Sequence, residues 1–160
     1  MMETQPIRCL ILACGNSLRS DDGVGPYLAA WAEERFGELA GVRVMARQQW
    51  TPELAEDLAR AESAIFIDCS VATPAGTAIL SQVAPAREAE GVETHQLDAG
   101  ELLALTKNLY SSLPREALLL SVGAGSVELG ERFSEAVEAA LPGAQALLEE
   151  TVRRLAGNFR

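Results

Sequence analysis

The sequence predicts an α/β fold: a single domain over residues 1–160, with a twisted, mostly parallel sheet of about five strands flanked by helices on both faces. Three observations carry this expectation. Apolar runs of strand length recur along the chain, segments of helical apolar spacing lie between them, and Gly, Pro, Asn and Asp punctuate the junctions. A composition of 48% hydrophobic and 22% charged residues is that of an ordinary globular core with a solvated surface. A chain of 160 residues is long enough for one such core and short for two.

Ile7 to Cys14 is a near-continuous apolar run, the pattern of a parallel strand covered on both faces. Gly15 to Gly25 is a loop of Gly, Asn, Ser and Asp; Val24, Tyr27, Leu28, Trp31 and Phe36 then follow at close to helical spacing. Gly37 stands where a left-handed residue is expected to close that helix. Val42 to Ala46 predicts a second strand, and Thr51-Pro52-Glu53 a helix start with Thr as cap and Pro in the first turn. Ala64 to Asp68 predicts a third strand ending on a carboxylate, and Thr77 to Val83 an edge strand. Pro85 to Gly91 reads as a polar loop, with His95 just before a helix from Asp98 to Leu109. Ala117 to Val122 is the last apolar strand. Val137, Leu141, Ala144, Leu148 and Leu155 share one stripe across Pro142-Gly143, which predicts one kinked helix or two abutting ones.

A formal net charge of −10 argues against nucleic acid and anionic membrane as partners, since both reward clustered Lys and Arg. Met1 to Arg8 lacks a signal-peptide layout, and the apolar stretch Cys9 to Cys14 is far shorter than a membrane span of about 20 residues. Cys9, Cys14 and Cys69 are an odd set without CxxC spacing, so a disulfide framework is not expected. The expected compartment is the cytoplasm. The sequence marks no oligomer interface, and a monomer is the default. Gly15, Gly23 and Gly25 do not make a dinucleotide fingerprint, no phosphate loop is present, and no organic cofactor is expected.

Ligands of open α/β sheets bind beyond the C-terminal ends of the strands. Asp21-Asp22 after the first strand and Asp68 after the third belong there, and His95, the single histidine, lies in a loop able to reach the same edge. Two carboxylates and an imidazole suit a divalent ion with positions left open. Each residue also has a plainer role available: Asp21 or Asp22 capping the helix, Asp68 bonding loop amides, His95 simply solvated. A Cys–His pair drawn from Cys14 or Cys69 with His95 is a weaker arrangement, because cysteines ending apolar strands are commonly buried hydrophobes.

The run from Gly15 through Asp21-Asp22-Gly23-Val24-Gly25 resembles the signature of the nickel–iron hydrogenase maturation endopeptidases. The resemblance continues at Ile65-Phe66-Ile67-Asp68, at Thr94-His95-Gln96-Leu97 and from Gly123 to Ser134, in the family's order and over nearly the whole chain. It implies a twisted, mostly parallel sheet flanked by helices. It also implies an endopeptidase that removes a C-terminal extension from a hydrogenase large-subunit precursor once nickel is inserted. By the same resemblance Asp22, Asp68 and His95 are the catalytic and metal-binding positions, with nickel supplied by the substrate's own metal centre. Two departures stand out. Arg47-Gln48-Gln49-Trp50-Thr51 replaces the Asp-Gly-Gly-Thr of many members, a segment linked to substrate choice, and the usual Pro near Ala124-Gly125 is missing. The alternatives are a stand-alone divalent-metal peptidase and a non-catalytic, chaperone-like binder of the immature large subunit.

Overall fold

The computed structural model describes residues 6–87 and 97–157. Five strands form one sheet: β1 (Cys9–Cys14), β2 (Val42–Arg47), β3 (Ser63–Ser70), β4 (Ala78–Gln82) and β5 (Glu116–Gly123). Their order is β2-β1-β3-β5-β4. All neighbours run parallel except β4, which lies antiparallel on β5 as the edge strand the sequence expects.

Alternation along each strand divides the core into two layers. Cys9, Ile11 and Ala13 of β1, with Ile65 and Ile67 of β3, face α1 (Val24–Phe36) and α4 (Glu135–Ala156). Leu10 and Leu12, with Ala64 and Phe66, face the opposite layer, α2 (Ala55–Arg60) and α3 (Ala99–Tyr110). With helices on both faces, β1 and β3 have no water-facing side, which explains their unbroken apolar runs.

Local signals differ from expectation at Gly37 and at Thr51. Gly37 is right-handed, with φ −62°; the chain carries on through a further turn, and the left-handed residue is Gly41, φ 88°, where the backbone swings into β2. Thr51 makes no cap bond, because the chain opens with a 3₁₀ turn, Pro52–Leu54, and the Thr51 hydroxyl bonds Glu53 instead. α4 is one continuous helix with Pro142 inside it. Asp98 caps α3 in a reciprocal capping box with Glu101. No helix among the described residues is long and apolar enough to cross a membrane.

The approach of α1 to the sheet depends on Gly25, where a β-carbon would lie 2.3 Å from the Cys14 carbonyl oxygen. A β-carbon at Gly143, inside α4, would meet nothing within 4 Å. Gly25→Ala is therefore expected to lower the unfolding free energy by about 3 kcal/mol through overpacking. Gly143→Ala should raise it by about 1 kcal/mol through helix propensity. Urea unfolding of both variants checks the pair.

Candidate active site

The site begins where β1 ends. Gly15, at φ 149°, donates its amide to the Arg47 carbonyl at 3.1 Å, and a β-carbon there would lie 2.0 Å from the Asp22 carbonyl oxygen. Only glycine lets the loop fold back this closely. The chain then makes a tight turn and a 3₁₀ segment, Ser20–Gly23, before α1 starts. Neither aspartate caps α1: its N-cap is Gly23, with no side-chain cap bond.

Asp21 and Asp22, adjacent in sequence, have opposite surroundings. Asp21 is fully buried and accepts hydrogen bonds from the Gly125 amide at 2.7 Å, the Ser126 amide at 2.8 Å, and the Ser134 amide and hydroxyl, both at 2.7 Å. Burial alone would raise its pKa, but the Ser134, Ser126 and Gly125 donors outweigh that and hold the carboxyl below the ordinary carboxylate range. Backbone bonds reinforce the junction. Ser20 donates to the Gly130 carbonyl at 2.8 Å, Gly130 to the Leu18 carbonyl at 2.9 Å, and Asp21 to the Ser126 carbonyl at 3.0 Å. Ser20 sits in the left-handed region, φ 51°, and its hydroxyl donates to the Glu128 carbonyl at 2.8 Å. The loop after β1 and the loop after β5 are thereby one unit, and Ser134 also caps α4 by accepting from Val137 at 3.3 Å.

Asp22 is half-buried and accepts from the Asn16 amide at 2.7 Å; the Asn16 side chain accepts from the Leu18 amide at 2.9 Å. Asp68, near the end of β3, is opposite Ser121 of β5 in register and accepts its hydroxyl at 2.8 Å. Its pKa is raised. Burial is the largest cause, the Ser121 bond pulls it part of the way back, and the charge of Asp22 pushes it up again. Asp22 and Asp68 thus feel one another at this edge, and Asp68 bonds a side chain rather than loop amides.

Cys14 and Cys69 lie at the same edge. Burial, then the surrounding carboxylates, push each thiol up to about 12, so neither is a thiolate nucleophile at neutral pH. Among the described residues no group of three His, Cys, Asp or Glu side chains gathers to hold a metal ion. Asp22 and Asp68 contribute an oxygen pair of the kind divalent cations accept, and His95 lies outside the described residues.

The two departures from the family pattern fall on this edge. Trp50 packs edge-on against Phe66 at 5.1 Å between ring centroids, and its buried Nε1 has no hydrogen-bond partner among the described residues. Where the pattern expects Pro, both amides are in use: Ala124 donates to the Ser70 carbonyl at 2.9 Å and Gly125 to Asp21. A proline at either position would delete a bond. Sequence reasoning left the role of Asp21 open and missed Ser121 and Ser134. Ser121 was signalled by a hydroxyl inside an apolar strand, and Ser134 by its place just ahead of Glu135 at a helix start.

The backbone is similar to that of several solved structures. Hydrogenase maturating endopeptidase HybD from E. coli aligns with a TM-score of 0.76 at 22% identity, covering 92% of this chain and 93% of that one. The [NiFe] hydrogenase maturation protease HycI from Thermococcus kodakarensis gives 0.69 at 24%, covering 95% and 94%. Hydrogenase 2 maturation peptidase from a Thaumarchaeota archaeon gives 0.64 at 26%, covering 91% and 97%. The chain therefore has the fold of the hydrogenase maturation proteases, as its motifs imply. No protein-family model and no curated protein sequence matches it.

Replacing Asp21 by Asn keeps the shape but turns an amino group toward the donors, and should cost about 2 kcal/mol of stability. The pKa of Asp21 is lowered on folding. Its contribution is therefore complete above the unfolded carboxylate value near 4, and is lost as pH falls through the depressed folded value. Asp21→Asn should accordingly flatten the acid limb of a stability-versus-pH curve measured by urea unfolding. Asp68 has the opposite sign, because its raised pKa makes the ionised form a burden above the folded value. Asp68→Asn should stabilise the protein at pH 7, and the gain should vanish as pH approaches about 4.

Proposed function

We propose that this protein is an endopeptidase that matures a nickel–iron hydrogenase by removing the C-terminal extension of the large-subunit precursor after nickel insertion. The observation that carries the reading is the meeting of Asp22 and Asp68 at the C-terminal edge of the sheet, in a fold shared with maturation endopeptidases. A half-buried carboxylate pair whose charges oppose one another is a place for a cation.

In this reading the cation is nickel carried by the substrate, and His95 completes the ligand set with Asp22 and Asp68. Nickel held there supplies Lewis acidity toward the scissile carbonyl or a bound water. The protein's own part is positional. Asn16 and Ser121 orient the two carboxylates, and the loop unit around Asp21 keeps Asp22 directed at the edge. The reaction belongs in the cytoplasm, with the precursor as protein partner and the enzyme acting as a monomer.

The test is to incubate the protein with nickel-loaded and nickel-free precursor and to read the precursor's mass. Loaded precursor should be shortened once near its C-terminus, and nickel-free precursor left whole. Asp22→Ala, Asp68→Ala and His95→Ala should each slow the cut about a thousandfold, equivalent to about 4 kcal/mol of transition-state stabilisation, while remaining folded. Binding without any cleavage would make the protein a chaperone-like binder. Cleavage of nickel-free precursor by a protein that purifies with its own tightly held ion would make it a stand-alone metallopeptidase.

A further inference from the structure

Leu129 is 83% exposed and Leu18 is 56% exposed, yet the loops that carry them are firmly held. The Gly130 amide beside Leu129 donates to the carbonyl of Leu18 itself, and Arg19 and Gly130 form a parallel bridge, so the two leucines stand on adjoining backbone. Ser20 ties the same junction to Gly130 and Glu128, and the Arg19 guanidinium donates to the Val127 carbonyl at 3.4 Å. Beneath it lies Asp21, with its four donors. A loop whose backbone is so fully bonded but whose large apolar side chains face water is built to present them, not to bury them. Presentation on a rigid support is what makes an apolar contact productive, since little order remains to be imposed on binding.

The pair is continuous with the site. Leu18 donates its amide to the Asn16 side chain at 2.9 Å, and the Asn16 amide donates to Asp22 at 2.7 Å. Leu18 is thereby linked to Asp22 through Asn16, which sets an apolar surface on the same loop as the site. We infer that Leu18 and Leu129 form a docking clamp for the substrate polypeptide, gripping apolar residues next to the bond that is cut. This rests on the endopeptidase reading above and gives it a surface that reads protein rather than metal.

The experiment compares wild type with Leu18→Ser, Leu129→Ser and the double variant. Binding of labelled nickel-loaded precursor is followed by anisotropy, and KM and kcat by the mass shift. Leu109→Ser is the control: Leu109 is 59% exposed but lies by the other end of the strands, where the nearby Ser112 hydroxyl bonds the Ala59 carbonyl ahead of β3. Each single change should weaken binding and raise KM about tenfold, and the double change about a hundredfold, with kcat and melting temperature unchanged. The control should match wild type. Unaltered binding in the folded double variant overturns the clamp, as does a fall in kcat with KM untouched. A wild-type dimer that Leu129→Ser dissociates also overturns it, because the occupant is then a second copy. Precursor that binds wild type but is never cut defeats the endopeptidase reading alone, since the clamp is still judged by binding. Precursor that neither binds nor is cut defeats both.

Discussion

A carboxylate taken wholly out of water is tolerated only when donors replace its hydration, and the fold meets that demand at Asp21 by bringing distant parts of the chain to one point. Gly125, Ser126 and Ser134 are more than a hundred positions away in sequence, and all converge on its two oxygens. Leaving any of those amides unpaired in the interior would cost about 1–3 kcal/mol, so the demand runs in both directions. The exit from β1, the exit from β5 and the start of α4 are thereby fixed relative to one another, and the residue next to Asp21 is placed as a consequence.

That residue is Asp22, and the contrast within the pair shows how environment assigns different tasks to one chemical group. Asp21 is saturated with donors and spends its charge on architecture. Asp22 takes one backbone bond and stays half-buried at the edge, where its charge acts on Asp68 and on both nearby thiols. A 3₁₀ turn separates the two roles, because consecutive residues in a tight turn point to different sides.

The apolar runs and helical stripes made the layered sheet legible, since burial on both faces forces continuous hydrophobic strands and covering helices. Strand positions and the edge character of β4 follow from residues that speak locally. What local patterning does not reveal is which donors a buried acid will find. Asp21 reads as a helix cap until the chain from Gly123 to Ser134 is folded over it, and Ser121 becomes a partner of Asp68 only through the register of β3 on β5. The positions of Asp22 and Asp68 on one edge were legible from topology. The place of His95 relative to them rests on a loop able to reach that edge and on a motif, and His95 lies outside the described residues. Gly37 misled for a similar reason: the turn from α1 to β2 needs its left-handed residue at Gly41, where the chain passes the Arg8 side chain.

The electrostatics of the edge bear on the function proposed above, in which the cut follows the arrival of the substrate's ion. Two carboxylate charges about 4 Å apart at an effective dielectric near 20 repel by about 4 kcal/mol. Asp68, raised by burial and by Asp22, already bears part of such a burden, and Ser121 offsets only some of it. Stability is conceded at this place for a surface that improves when positive charge arrives, a familiar exchange at functional sites. If that charge travels with the substrate, the surface favours a substrate that carries its ion over one that does not. Discrimination then follows from the apposition of Asp22 and Asp68 itself, without any moving part, and the rigid unit hung on Asp21 is what keeps that apposition from relaxing away.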